Sequence, residues 1–107
     1  MAATQGHFLR SLEALAAGPK SLTCLVHPVV PVIDETRPLV KQYNAILRAA
    51  VRELGHSRIR WLDGVFEGLL DAQGGGGLRA QFRLDGTHLH PSYVTELLAP
   101  ALGRALP

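Results

Sequence analysis

The sequence predicts an α/β protein in which parallel strands carry helices on both faces. Apolar residues repeat at helical spacing in three segments, and two short strand-like runs lie between these segments. The resulting order is helix, strand, helix, strand, loop, helix, which favours parallel strands joined by helices that cross the sheet. A chain of 107 residues, 47% of them apolar and 19% charged, suits one small folded domain spanning residues 1–107.

The first helix and the first strand are separated by a glycine–proline stop. Apolar side chains recur every three or four positions over residues 5–17, which predicts a helix that ends at Gly18-Pro19. Residues 21–27 form an apolar run without alternation, which predicts a strand buried on both faces. Pro28 ends this strand, because proline cannot donate a hydrogen bond to a central ladder.

Residues 34–54 carry the clearest helical pattern. One face of this predicted helix is formed by Leu39, Val40, Tyr43, Ile46, Leu47, Ala50, Val51 and Leu54. Asp34 and Glu35 place negative charge near its start, Pro38 fits its first turn, and Gly55 provides its stop.

The second half of the chain contains one more strand and one more long helix. The run SRIRWLDG predicts a strand, VFEGLLDA predicts a short helical turn at most, and the glycines at 74–77 predict a flexible loop. The last helix is predicted to begin near Pro91 and to be kinked or divided at Pro100. Two strands alone make a poor sheet, because each leaves an edge exposed.

Composition excludes several classes of function. The 11 Lys and Arg against 9 Asp and Glu are scattered and not interleaved with aromatics, so no nucleic-acid partner is predicted. The single Cys24 forms no internal disulfide and is predicted to be a buried, inert thiol. Neither the histidines (His7, His27, His56, His88 and His90) nor the glycine loop matches a metal or phosphate motif, so no cofactor or metal is predicted.

The chain has no apolar segment of membrane or leader type. No stretch approaches the roughly 20 apolar residues of a membrane span, and the N-terminus lacks the charged and apolar regions of a signal peptide. We therefore predict a soluble protein without a membrane span and assign no compartment.

The segment DGTHLHPSY at residues 85–93 carries the strongest chemical signal. A histidine acting as a general base needs a carboxylate on its second ring nitrogen, which fixes the tautomer and stabilises the imidazolium. Asp85 and His88, three positions apart with Gly86 between them, can meet this need from one loop. The simpler reading is a polar turn before a helix, since Asp-Gly is among the commonest turn dipeptides.

The same nine residues resemble the last block of the SGNH/GDSL ester hydrolases, D-G-x-H-L-x-P-x-G/A-Y. Six residues match in type, with the tyrosine one position early: Asp85, Gly86, His88, Leu89, Pro91 and Tyr93. The upstream run LVHPVVP, the helix containing Tyr43-Asn44 and the run RIRWLDG are also similar, so the resemblance covers roughly residues 8–103. It implies a three-layer α/β/α, flavodoxin-like fold, present only as its C-terminal part. It also implies ester hydrolysis of a small-molecule, glycan or lipid ester, with His88 as general base and Asp85 as its orienting acid.

The chain departs from that family at the nucleophile. The family's serine lies in an N-terminal G-D-S block, and none of Ser11, Ser21, Ser57 and Ser92 has that context. The family's oxyanion glycine and G-x-N-D block are also missing, and the only asparagine is Asn44. Acyl transfer needs a nucleophile, a base and oxyanion donors together. We therefore expect that this chain by itself does not hydrolyse esters.

Other interpretations remain open. A non-catalytic α/β domain that binds a partner, or associates with itself through the exposed sheet edge, is the main alternative. Metal-dependent chemistry using His27, His88, His90 and Asp85 is less favoured, because their spacing gives no fixed ligand geometry. His27 and Asp63 end the two strands and are expected to line a cleft or to cap turns. For Ser92 we expect a helix-capping role, and for His90 the role of a loop residue.

Overall fold

The computed structural model describes residues 2–19, 22–71 and 76–106 of a mixed α/β protein with a small parallel sheet. The elements, in chain order, are α1 (Ala2–Ala16), β1 (Cys24–Val26), a 3₁₀ turn (Asp34–Thr36), α2 (Arg37–Leu54), β2 (Ile59–Trp61), α3 (Val65–Leu69), a second 3₁₀ turn (Ala80–Phe82), a π-helical turn (Val94–Leu98) and α4 (Ala99–Ala105). The predicted alternation of helix and strand is therefore confirmed.

The sheet contains β1 and β2, paired in parallel as predicted. Cys24 lies opposite Ile59 and Val26 lies opposite Trp61. Each strand has three residues, so both are shorter than the runs from which they were predicted. Within the described residues no third strand joins them, and both sheet edges are open.

Apolar side chains pack against both faces of this sheet. The first core joins α1, α2 and the sheet, and its buried members are Leu12, Leu47, Val51, Ile59 and Trp61. The second core lies under α3 and the terminal helix, and its buried members are Leu62, Val65, Leu69, Leu78, Phe82 and Ala101. Along β1, Cys24 and Val26 pack on the first core and Leu25 packs on the second, as the alternation of a strand requires.

The predicted burial of β1 on both faces is only partly observed. All three of its residues are only half-buried, and Cys24 is a half-buried free thiol rather than a buried one. The physical reason is that one edge of β1 carries no neighbouring strand in the described part of the chain. A central strand would be covered there by its neighbour's side chains.

Helix α2 ends where predicted, but it begins at Arg37 rather than at residue 34, because a separate 3₁₀ turn occupies Asp34–Thr36. Pro38 lies in its first turn, and Gly55 ends it in the left-handed conformation with φ of 65°. The apolar face differs from the prediction at two places. Leu39 is 56% exposed, because the first turn extends beyond the core, whereas Asn44 is 4% exposed.

The terminal helix accommodates Pro100 by a change of winding. The helix starts at Ser92, beside the predicted Pro91, and residues 94–98 form a π-helical turn before α4. The Ala99 N–H donates to the Val94 carbonyl five residues earlier. The extra residue in this turn accommodates Pro100, which has no N–H to donate, so the helix continues instead of dividing.

The structure bears on two further predictions, the glycine loop and the absence of a membrane span, only within the described residues. Residues 72–75 lie outside the described part of the chain, so only Gly76 and Gly77 of the predicted glycine loop are observed. None of the described helices is both long enough and apolar enough to cross a bilayer.

Candidate active site

Asp85 and His88 lie in a loop at the tip of a short hairpin. Arg83 and Leu89 form an isolated antiparallel bridge, and the His90 N–H donates to the Phe82 carbonyl at 2.7 Å. Phe82 is 1% exposed and belongs to the second core. Leu89 also packs against this core. The hairpin base is thus anchored in the protein interior, while residues 84–88 project from it.

A cluster of ion pairs holds the hairpin beside the segment that follows β1. The Arg83 guanidinium donates to the Val32 carbonyl at 3.3 Å and to Asp34 Oδ1 at 3.0 Å. The same Asp34 oxygen accepts a hydrogen bond from Arg37 at 3.0 Å. These contacts attach the hairpin to the segment that links β1 to α2.

The two predicted site residues are in direct contact. His88 Nδ1 lies 3.0 Å from Asp85 Oδ1 and 3.1 Å from Oδ2. An ionised carboxylate only accepts hydrogen bonds, so Nδ1 carries the ring proton and Nε2 is left as the basic nitrogen. No hydrogen bond from the described residues reaches His88 Nε2, which is the position that a general base requires.

The backbone of the same turn holds the Asp85 carboxylate in place. Asp85 Oδ1 accepts the N–H of Thr87 at 2.8 Å and the N–H of His88 at 2.9 Å, the pattern of an Asx turn. The pKa of Asp85 is lowered to about 2, chiefly by the hydrogen bond from the Thr87 N–H and next by the hydrogen bond with the His88 side chain. The carboxylate is therefore ionised at neutral pH and available to orient the imidazole.

The pair is open to solvent. The His88 side chain is 70% exposed and the Asp85 side chain is 53% exposed. Two clefts, of about 410 and 380 Å³, lie elsewhere on the protein, and neither residue lines them. The acid of a serine-hydrolase triad is buried, so the geometry of this pair matches a triad while its exposure does not.

None of the three described serines contacts His88. The Ser11 hydroxyl donates to the His7 carbonyl within α1 at 2.9 Å, and Ser57 lies exposed in the turn before β2. The Ser92 hydroxyl donates to the Gln81 carbonyl at 3.1 Å. Ser21 lies outside the described residues.

The expected capping role of Ser92 belongs to His90 instead. The Ser92 N–H donates to His90 Nδ1 at 3.1 Å, so the imidazole satisfies a backbone donor at the start of the terminal helix. The Ser92 hydroxyl donates to the Gln81 carbonyl instead of accepting a hydrogen bond from the helix backbone. His90 thus has a local structural contact, distinct from the pair at residues 85 and 88.

The two strand-end residues, His27 and Asp63, form local contacts. The His27 Nδ1–H donates to the Pro28 carbonyl at 2.6 Å, and its ring packs edge to face on Tyr93 with centroids 6.2 Å apart. His27 Nε2 is buried without a hydrogen-bond partner among the described residues. Asp63 forms an ion pair of 2.7 Å with Arg48.

Three residues that support the site were not singled out from the sequence for these roles. Thr87 holds Asp85, and the D-x-T pattern of an Asx turn could have indicated this. Arg83 anchors the hairpin by its contact with Asp34, which lies 49 residues earlier in the chain. Asn44 is buried, its side-chain oxygen accepting the Val29 N–H at 2.8 Å and its amide donating to the Val29 carbonyl at 2.9 Å. These last two contacts carry no local sequence signal.

Comparison with known proteins adds no relative. No protein-family model matches the chain, and neither the curated proteins nor the solved structures contain a match. In the described part of the chain, no three His, Cys, Asp or Glu side chains are placed to hold a metal ion.

Proposed function

We propose that this chain supplies the acid–base pair of an ester hydrolase of the SGNH/GDSL type. The observation that carries the proposal is the contact of His88 Nδ1 with both oxygens of Asp85, with Nε2 left unpaired. The parallel sheet and the apolar cores on both of its faces support the three-layer fold of that class.

The chemistry follows from the two ring nitrogens of His88. Nε2 takes the proton of a serine hydroxyl as its oxygen attacks the ester carbonyl, and Asp85 stabilises the imidazolium that forms. The imidazolium then returns the proton to the departing alcohol, leaving an acyl-serine. Water then attacks this acyl group as it gives a proton to the same nitrogen. The imidazolium returns that proton to the serine oxygen as the acyl bond breaks, which releases the carboxylic acid and restores the serine.

The serine and the oxyanion donors of the proposed site come from outside the described residues. The exposure of the pair agrees with this, since a further element packed against the loop would bury it. Val29, Ile33 and Leu84, which neighbour the hairpin in the chain or across the Arg83 contacts, are 43 to 58% exposed. The substrate is proposed to be an ester of a small molecule, glycan or lipid.

The tautomer of His88 tests the proposed pair. We expect ¹⁵N NMR of the neutral His88 ring to show the Nδ1–H tautomer in the unaltered chain. In Asp85→Asn this preference for the Nδ1–H tautomer should be lost. Asp63→Asn, which removes a carboxylate elsewhere, is the matched control and should leave the His88 tautomer unchanged. A predominant Nε2–H form in the unaltered chain, or an unchanged ring in Asp85→Asn, would contradict the proposal.

Turnover of a short-chain nitrophenyl ester tests whether the site is assembled. The purified chain is compared with His88→Ala and with His7→Ala, an exposed histidine on α1. We expect no turnover above that of His88→Ala. Turnover lost in His88→Ala alone would show that the chain builds a working site and would overturn the need for an external nucleophile.

A second candidate, a partner-binding domain without catalysis, is favoured by the same exposed apolar side chains and open sheet edge. Light scattering over a range of protein concentrations tests the self-associating form of this candidate. Growth of the mass toward a dimer would support self-association. A constant monomer mass would count against it.

A further inference from the structure

A cleft of about 410 Å³ opens between α2, β2 and α4, and none of the hairpin residues 82–90 lines it. Its walls are the last turn of α2, the outer edge of β2 and the last turn of α4. The buried side chains of Val51, Ile59, Trp61 and Ala101 form its apolar floor. Its volume lies in the range of small-molecule sites.

The rim of this cleft is strongly basic. Arg52, Arg60, Arg104 and His56 line it, and Asp63 is the only carboxylate among the lining residues. Asp63 is already neutralised by its 2.7 Å ion pair with Arg48, which lies outside the cleft. The cleft therefore carries an excess of positive charge within one concave surface.

Two of the three guanidinium groups have unused donors. Arg52 and Arg104 form no hydrogen bond or ion pair with any side chain or carbonyl of the described residues. Arg104 lies over the turn at Gly64, where its Nη2 is 3.2 Å from the position that a Cβ would occupy. Both arginines stand in the last turn of a helix, where their charge also offsets the helix dipole, but that role uses none of their N–H donors.

The third guanidinium is held in position. Arg60 Nε donates to the Ser57 carbonyl at 2.9 Å, and its Nη1 donates to the Ala105 carbonyl. These contacts fix the plane of the group across the cleft between β2 and α4. An immobilised guanidinium loses less entropy on binding than a free one.

We propose that this cleft is a binding site for a small polyanion of the organic-phosphate class. Planar guanidinium forks match the geometry of phosphate oxygens and bind them in pairs. Two unpaired arginines and one held arginine balance the two or three negative charges of a phosphate or diphosphate group better than the single charge of a carboxylate. The apolar floor accommodates the uncharged part of the ligand. The site is separate from the Asp85–His88 pair and does not depend on the function proposed for it.

Titration with inorganic pyrophosphate tests this proposal. Calorimetry and the ¹⁵N amide shifts of the protein measure the binding. The test variant is Arg52→Gln/Arg104→Gln. The matched control is Arg10→Gln/Lys41→Gln, which removes the same charge from exposed positions outside the cleft. Citrate, a polyanion with carboxylates only, is titrated in parallel. Circular dichroism verifies that each variant is folded, and Arg104→Lys provides a milder change that retains the charge.

We expect saturable binding of pyrophosphate with shifts concentrated at Gly55, Ile59, Arg60 and Ala105. The cleft variant should weaken it by about tenfold or more, because two charge-assisted contacts are lost. The control should change it much less, and citrate should bind more weakly than pyrophosphate. Absence of saturable binding, equal weakening in both variants, or citrate binding as tightly as pyrophosphate would each overturn the proposal.

Discussion

Asp85 is held by several hydrogen bonds within one turn of the chain. Its Oδ1 accepts the backbone N–H groups of Thr87 and His88, and both of its oxygens contact the His88 ring. The backbone bonds keep the carboxylate ionised and oriented before any substrate is present. The D-G-T-H spacing was sufficient to predict this pair, because every partner lies within three residues and only the turn is needed to bring them together.

The lowered pKa of Asp85 predicts a pH dependence of stability. Because its pKa falls from the ordinary 3.8 to about 2, the folded state binds this proton less readily than the unfolded state. The resulting stabilisation is present above the ordinary value and is lost as the pH falls toward 2. In urea denaturation, the difference in free energy of unfolding between the chain and Asp85→Asn should be constant above about pH 5 and shrink between pH 4 and 2.

Carboxyl ¹³C NMR provides a separate reading of the same residue. In His88→Ala, the pKa of Asp85 should rise only part of the way to its ordinary value, because the Thr87 N–H, the larger cause, remains. An Asp85 pKa at its ordinary value in the unaltered chain would contradict the observed turn.

Asn44 is a residue whose role depends on a contact across the fold. It lies 4% exposed in α2 and bonds both backbone groups of Val29, 15 residues earlier. Asn44→Ala should lower the free energy of unfolding by about 1–3 kcal/mol, because it leaves a partly buried N–H and C=O unpaired. Gln42→Ala, at an exposed position of the same helix, is the control and should change stability little in the same urea experiment. Equal effects of the two substitutions would show that the Val29 contacts do not contribute.

At the scale of elements, local stop and start signals agree with the observed helices. Pro38 and Gly55 bound α2 as their backbone preferences require. The terminal helix is the exception, because Pro100 is accommodated by a π-helical turn. Leu97 and Leu98 within that turn and Ala101 and Leu102 after it all pack on the second core, which keeps the helix continuous.

Two glycines should respond in opposite directions to the same substitution. Gly55→Ala places a Cβ on a residue with φ of 65° and should cost about 1 kcal/mol. Gly103→Ala, on the exposed face of α4 with no atom near the added Cβ, should stabilise by about 0.5–1 kcal/mol through helix propensity. Thermal unfolding of the two variants checks this, and a shift of the same sign in both would contradict the assigned helix end.

At the scale of the whole molecule, one side chain joins the second core to the candidate site. Phe82 is 1% exposed, and its carbonyl accepts the His90 N–H that closes the hairpin. Packing in this core therefore determines where the loop with Asp85 and His88 stands. The opposite core, under α1 and α2, has no direct contact with that loop among its members.

Phe82→Ala should destabilise the chain by about 3–5 kcal/mol, a large part of the stability of a small domain. Phe82→Leu retains most of the buried volume and should cost about 1 kcal/mol. Chemical denaturation gives both values. In Phe82→Leu, which should remain folded, the His88 ring signals should stay close to those of the unaltered chain. A loss in Phe82→Ala no larger than that in Phe82→Leu would show that the buried volume of Phe82 does not stabilise this core.

The sequence by itself determined the alternation of helices and strands, the C-terminal end of α2 and the turn that pairs Asp85 with His88. These features depend on residues within a few positions of one another, so backbone preference and side-chain periodicity are sufficient to specify them. Only the tertiary structure decided the burial of Asn44, the Arg83 contact with Asp34, the exposure of the pair and the basic cleft between α2 and α4. Asn44 and Val29 lie 15 residues apart and Arg83 and Asp34 lie 49 residues apart, and the packing of helices on the two faces of the sheet brings such distant residues together.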